Sequence, residues 1–423
     1  MSEGARIEVL GSGREVGRAA IAVWGPSGKA VLLDYGVNFD EEDRPVFPGH
    51  IRPRDLEAVV LTHSHLDHVG AAPMLYASVR PKLVATPLTL DVSRLLLLDM
   101  IKLNGPYLPF DEQVVDMMLE AAETVTYSDS IDIGDFHLGF VYNGHIPGSF
   151  GVLVEVDGKR ILYTSDMNTI ETKLMGPASF NGLSADVVIV ESTYSTYTHP
   201  NRRDTEERFY KSVREVVESG GVVLVPAFSV SRSQEIMALL AERDFEYPVW
   251  VDGMSRKVAE LYLEHSRCLR EPALLKRAIS MQNLVRGWGD RRRAMKEAGV
   301  IISSAGTLKG GPSLYYLKKL GGDPSNAVFL VSFQPPGTPG RRLVEEGVFE
   351  DGGEPLKARL EWFDFSSHTD GRGVIEALKQ IKGVEKVVLV HGEYEGQELL
   401  ASKIREKLGV EVYIPENGES IPV

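Results

Sequence analysis

Residues 63–68 read His-Ser-His-Leu-Asp-His, three imidazoles and a carboxylate within six positions. Ahead of them runs L-E-A-V-V-L-T, residues 56–62, apolar and β-prone; behind them V-G-A-A-P-M-L-Y reads as a turn into a helix. Four donor groups on a strand-to-helix loop can converge on metal, because imidazole nitrogen and carboxylate oxygen are standard zinc ligands. His63 and His65 alternate and would serve one ion, while Asp67 and His68 face the other side of the loop. A solvated polar loop is the bland alternative, and a chance H-x-H-x-D-H is rare. The stretch predicts a metal site before it predicts a reaction.

A catalytic ion needs ligands from elsewhere in the chain. His145 lies in N-G-H-I-P-G-S, where Gly144 and Gly148 let the backbone bend tightly. The run from Gly151 to Asp166 alternates and turns at Asp157-Gly158, a hairpin signal that delivers Asp166 to the end of the second strand. Asp34 closes K-A-V-L-L-D and His391 closes V-V-L-V-H in the same way. Alone, each aspartate is more often a turn residue; beside the histidine loop both become candidate metal carboxylates.

Taken in order, Asp34, His63-x-His65-x-Asp67-His68, His145 and Asp166 resemble the motif series of the metallo-β-lactamase superfamily. Glu191 in E-S-T-Y-S, His368 in F-S-S-H-T-D and His391 in V-V-L-V-H-G-E are similar to the A, B and C motifs of its β-CASP nucleases. The resemblance covers essentially the whole chain, including G-S-G-R-E-V-G-R at 11–18, and looks closest to short archaeal relatives of the cleavage and polyadenylation specificity factor nuclease. It implies an α/β chain: an αββα sandwich with an inserted parallel-sheet α/β domain.

The resemblance also implies a chemistry. One zinc ion would take His63, His65 and His145, a second Asp67, His68 and His391, with Asp166 bridging and Asp34 bracing a ligand histidine. Water acidified by the ions would attack phosphorus. His368 would be the general acid, oriented by Glu191, so that Asp67, His368 and Glu191 are the residues placed in catalysis. The implied activity is hydrolysis of single-stranded RNA to 5′-phosphate and 3′-hydroxyl ends, endonucleolytic, in RNA processing or decay. A 5′→3′ exoribonuclease, or an RNA-binding subunit whose activity depends on a processing complex, is the alternative. A lactamase or thioesterase needs no insertion, a flavin-linked diiron reductase needs glutamate at position 65, and a tRNA 3′-processing nuclease carries a different arm. A homodimer is compatible with the pattern, which contains nothing that requires one.

Composition agrees. The 423 residues are 43% hydrophobic, enough for two packed domains. A single cysteine, Cys268, excludes an internal disulfide and fits a reducing cytoplasm, where Cys268 is expected to be inert. Apolar runs are strand-length and no leader opens the chain, so neither secretion nor a membrane span is expected. Strand and helix patterns place a first part of the metal domain at 1–195, the insertion at 196–361 and the remainder at 362–423, with the active site expected in the cleft between the two. Helices are expected near 86–103, 111–123, 204–220, 232–243 and 255–264.

A net charge of −14 is awkward for a protein that binds a polyanion. Residues 281–344 nevertheless carry ten Lys and Arg against three Asp and Glu, although an ordinary solvated helix face explains Arg291–Arg293 equally well. Within the insertion, loops at 228–235, 303–313 and 335–342 follow apolar strands and could present backbone N–H groups to phosphate. Ser231, Arg232, Lys309, Gly310 and Arg341 are the RNA-binding candidates there, with a plain serine N-cap as the equal alternative for the first loop. His50, His137, His199 and His265 have no partner pattern, and His199 is expected at the surface.

Overall fold

The computed structural model describes residues 4–350 and 352–423, which divide into two compact units. The first comprises residues up to Glu171, then Pro177–Thr198 and Ser367–Val423; the second comprises Thr172–Gly176 and His199–Ser366. Residues 172–176, counted with the metal domain in the sequence, thus pack with the insertion.

In the first unit the apolar runs pair into two seven-stranded sheets. One runs Glu419–Pro422, Arg6–Gly11, Ala20–Trp24, Ala30–Leu33, Leu56–Val60, Lys82–Ala85, Ala122–Thr124; the other runs Glu411–Tyr413, Lys386–Val390, Val187–Glu191, Lys159–Tyr163, Phe150–Val156, Phe136–Tyr142, Ser130–Ile133. Their facing sides share one apolar core in which Ile7, Val31 and Val60 meet Phe136, Phe150, Ile161 and Val390. The outer face of the first sheet packs on the helices Pro87–Asn104 and Glu112–Glu120, through Leu97, Met100, Val115 and Met118. The outer face of the second is covered by Gly371–Gln380 and Tyr394–Leu408, through Val374, Leu378, Leu400 and Ile404. This is the αββα order. Strands buried on both faces, such as V-V-I-V-E at 187–191, are the ones that read as continuous apolar runs.

The sandwich positions the site because its parallel strands end together. Leu33 lies opposite Val60, so Asp34 and Leu61 leave the first sheet side by side. Tyr163, Ile189 and Val388 are in register, so Asp166, Glu191 and His391 leave the second. The hairpin turn falls at Asp157 and Gly158, both left-handed with φ of 52° and 73°, as a two-residue turn between twisted strands requires. One helix ends early: 112–120 replaces the expected 111–123, because Ala122–Thr124 pairs in parallel with Leu83–Ala85.

The second unit is a six-stranded sheet, ordered Asn283–Leu284, Val249–Asp252, Gly299–Ser303, Val222–Pro226, Ala327–Leu330, Arg359–Trp362, with every pairing parallel. Helices Arg202–Glu218, Arg232–Glu242, Ser255–Glu264 and Gly311–Leu320 alternate with its strands, as βα units demand. His199 corrects an expectation. It is not a surface residue: its side chain is 4% exposed, and Nδ1 lies 2.6 Å from Asp364 Oδ2. Among the described residues no helix is long and apolar enough to cross a membrane.

Candidate metal centre

The loop that carries His63–His68 is held by backbone alone. Ala19 N–H donates to Asp67 O at 2.7 Å, Tyr35 N–H to His68 O at 2.8 Å and Val37 N–H to Leu66 O at 2.9 Å. Gly36 makes this clamp feasible, since a Cβ there would sit 1.7 Å from Asp67 O. The side chains are left to face inward. Asp34 and His391 adopt left-handed φ values of 60° and 53°, and Ser165, next to Asp166, one of 53°. Non-glycine residues rarely do so, and here each marks the point where a strand turns sharply to present a ligand.

All ten residues singled out for metal and catalysis belong to the first unit. His63, His65, His145 and Asp166 form one group of convergent donor atoms, and Asp67, His68 and His391 a second. His65 Nδ1 lies 3.2 Å from His63 Nε2 and 3.3 Å from His145 Nε2. Asp166 Oδ2 is 3.5 Å from His63 Nε2, 3.6 Å from His145 Nε2 and 3.2 Å from His68 Nε2, within reach of both groups. His391 Nε2 is 3.3 Å from Asp67 Oδ2.

These donors fit a cation. Ligands about 2.1 Å from a tetrahedral zinc stand about 3.4 Å from one another, the spacing found in the first group. The tautomers agree. His145 Nδ1 can only donate to the Ser367 carbonyl at 2.9 Å, which leaves the Nε2 lone pair facing the cluster. One proton cannot satisfy three nitrogens crowded together, whereas one cation can accept from all of them. His68 Nε2 and Asp166 Oδ1 are also buried without a hydrogen-bond partner.

Electrostatics divide the histidines in two. Burial pushes the pKa of His63 and His145 well below the ordinary value and that of His65 down to about 4, keeping these rings neutral as ligation requires. Burial also opposes charge on His68, but Asp166 and Asp34 outweigh it and raise its pKa well above normal. His391 is raised in the same way against burial, by Asp166 and Asp67. Asp166 and Asp67 are held low despite burial by the neighbouring histidines.

Asp34 does not face the donor cluster. Its Oδ2 accepts from His68 Nδ1 at 2.8 Å, Thr62 Oγ1 at 2.8 Å and Tyr163 Oη at 3.1 Å, and Oδ1 accepts from Thr62 N–H at 2.8 Å. It therefore fixes the His68 ring with Nε2 inward. Asp34→Asn, which puts an amide donor against that network, is expected to weaken metal binding about 10–100-fold, as measured by competition with a chromophoric chelator.

His368 sits beside the cluster, its ring centroid 4.7 Å from that of His145. Its Nδ1 lies 3.1 and 3.0 Å from the two Glu191 oxygens. Burial lowers its pKa, but Glu191 and Asp166 overcome that and push it up to about 9. Thr193 was not singled out in the sequence. Its hydroxyl donates to Glu191 Oε2 at 2.6 Å and lies 3.1 Å from His391 Nδ1, so it joins the Glu191–His368 pair to a ligand of the second group. The available signal was its place two residues after Glu191 in E-S-T-Y, on the same side of an extended chain. Thr193→Val is expected to lower kcat about tenfold, since it removes a hydrogen bond to a charged group, while Thr193→Ser restores it. Steady-state kinetics on both variants checks this.

The five RNA candidates lie in the second unit. Ser231 precedes the helix Arg232–Glu242 but makes no side-chain cap, and its φ is 66°. The plain serine cap is therefore ruled out there. Gly310 is extended ahead of Gly311–Leu320, Lys309 is exposed, and Arg341 pairs with Glu345 at 2.7 Å on the helix surface. Cys268 is half-buried with its thiol pushed up by burial, consistent with an inert side chain.

Comparisons with known proteins agree with this architecture. Residues 14–220 match the metallo-beta-lactamase superfamily, 233–343 the Beta-Casp domain, and 353–415 the Zn-dependent metallo-hydrolase RNA specificity domain. The chain is 48% identical to RNase aCSPSF2 of Saccharolobus solfataricus over 98% of its own length and 85% of that protein. It is 33% identical to Ribonuclease TTHA0252 of Thermus thermophilus over 99% of its length and 100% of that protein. A crystal structure of a protein of unknown function from Enterococcus faecalis shares the fold, with a TM-score of 0.62 at 15% identity over 99% of this chain and 100% of that one.

Proposed function

The chain belongs to the β-CASP nucleases of the metallo-β-lactamase superfamily, and from that premise we propose a zinc-dependent ribonuclease that cuts single-stranded RNA internally to 5′-phosphate and 3′-hydroxyl ends, in RNA processing or decay in the cytoplasm. The observation that carries this reading is the Glu191–His368 pair set against seven convergent ligands, all within one unit. The ribonuclease names of relatives aligned along nearly the whole chain support the substrate class.

His63, His65 and His145 would hold one ion and Asp67, His68 and His391 another, with Asp166 shared. Two bound zinc ions would supply an acidified water and neutralise charge on the phosphoryl oxygens. The protein's own contribution is proton control. Glu191 engages His368 Nδ1, so the proton available for transfer is the one on Nε2, the arrangement by which a carboxylate prepares a catalytic imidazole. That proton would go to the departing 3′-oxygen. Thr193 keeps the pair in line with His391, and Asp34 keeps His68 from turning.

The test uses two single-stranded RNAs of one sequence, one labelled at a 5′-monophosphate and one at the 3′ end. Internal fragments from both labels are expected. A 5′ mononucleotide with a shrinking 3′-labelled ladder would replace the internal cut by a 5′→3′ exonuclease. Products ending in 2′,3′-cyclic phosphate would sink the mechanism, because the RNA's own 2′-hydroxyl would then be the attacking group. RNA bound but not cleaved would overturn the enzyme in favour of a binding subunit.

A further inference from the structure

Resting on the reading that the substrate is single-stranded RNA, we propose that the second unit carries its own RNA contact: a base-stacking platform on Trp288 flanked by Arg286 and Arg292. At 58% exposed, Trp288 is the most exposed aromatic side chain among the described residues. It does not belong to the apolar cluster of this unit, which gathers around Trp250, Ile301 and Tyr316, so a core-filling role does not account for it.

The indole is exposed yet held in place. It opens the short helix Trp288–Ala294, where Arg291 and Arg292 stand three and four residues on, along the same side. The Arg291 guanidinium lies over the indole at 4.9 Å and over Tyr315 at 5.9 Å, and the Trp288 and Tyr315 rings meet edge to face at 5.2 Å. Arg291 is itself fixed by two contacts to Asp252, Nε to Oδ2 at 2.7 Å and Nη2 to Oδ1 at 3.2 Å. Tyr316 donates to the same Asp252 Oδ2 at 2.9 Å. The charge of Arg291 is thus spent inside the protein, and what it supplies outward is a positioned ring.

The phosphate-seeking charges are its neighbours. Arg286 and Arg292 are exposed, and neither makes an ion pair among the described residues. Residues 283–297 carry five Lys and Arg against two Asp and Glu in a chain of net charge −14. A fixed aromatic face with unpaired cations on either side matches the chemistry of single-stranded nucleic acid: any base can stack on the ring while the backbone passes the arginines. Such a contact is tolerant of sequence.

Binding of a fluorescein-labelled oligouridylate of about 20 nucleotides, long enough to cover such a site, tests this by anisotropy. The parent is His368→Ala, which blocks turnover on the reading above, and wild-type cleavage is assayed in parallel. Adding Trp288→Ala is expected to raise Kd on the order of tenfold, while Trp288→Phe keeps most of the affinity. Arg286→Ala with Arg292→Ala is expected to flatten the dependence of log affinity on log salt by about 1. If wild type cleaves RNA and Trp288→Ala binds like its parent, the platform is overturned and the ribonuclease stands. If wild type cleaves no RNA and the parent binds none, the substrate reading falls first and the platform with it. Weaker binding that Trp288→Phe fails to restore, with a lowered Tm, would make Trp288 a structural residue and end the proposal.

Discussion

An Asp67→Ala/His68→Ala protein supplied with zinc is expected to fold normally, to lose about one zinc ion per chain, and to cleave RNA at least a thousandfold more slowly, roughly the several kcal/mol that a bound ion contributes to the transition state. Folding should survive because the loop is fastened by its backbone, through the Asp67, His68 and Leu66 carbonyls, and none of those bonds is touched. The first donor group, His63, His65, His145 and Asp166, keeps its geometry. What disappears is the second group, since His391 alone retains little chelating power. Asp34 also stays satisfied by Thr62 and Tyr163 after His68 is gone, which limits the cost of leaving it buried. Metal analysis by mass spectrometry, circular dichroism and a single-turnover cleavage assay read the three outcomes separately. Wild-type zinc content with wild-type cleavage would dismiss the second group as a metal site.

His368→Ala should separate chemistry from metal. His368 belongs to neither donor group, so zinc content should be unchanged, while kcat falls by about 10²–10⁴, the usual contribution of a general acid. An RNA whose cleaved bond leaves through a 3′-sulfur, which departs without a proton, should recover most of the loss. Failure of that rescue would remove His368 from the role of acid. The pH profile gives an independent check. The acid works while protonated, and Glu191 is a principal cause of its raised pKa, about 9. Glu191→Gln removes that charge, lowers the pKa of His368, and is expected to move the alkaline limb of kcat to lower pH. The variant should therefore be most impaired between about pH 8 and 9 and least impaired near pH 6.

Much of the site was legible because its chemistry is concentrated. His63, His65, Asp67 and His68 declare themselves by type and spacing, and Asp34, Asp166 and His391 by closing apolar runs. The hairpin at Asp157-Gly158 and the helix 255–264 follow equally from local rules of turn and period. Residues whose role depends on a distant partner were not legible. His199 has no local pattern, and only folding sets it against Asp364, 165 positions away. Arg291 reads as one of three helix-surface arginines, yet it alone reaches Asp252. Thr193 looks like any strand-end threonine until Glu191 and His391 close around it.

By itself, then, the order of residues determined the donor inventory, the strands that deliver it and the kinship it signals, because ligand type and hydrophobic period are properties of neighbours in the chain. Tertiary structure alone decided which donors share an ion-sized space and which nitrogen of each histidine faces it. It also decided that Asp34 turns away from the cluster to hold His68. Those outcomes depend on strand register and on hydrogen-bond partners brought together from opposite ends of the sequence. No spacing rule encodes them.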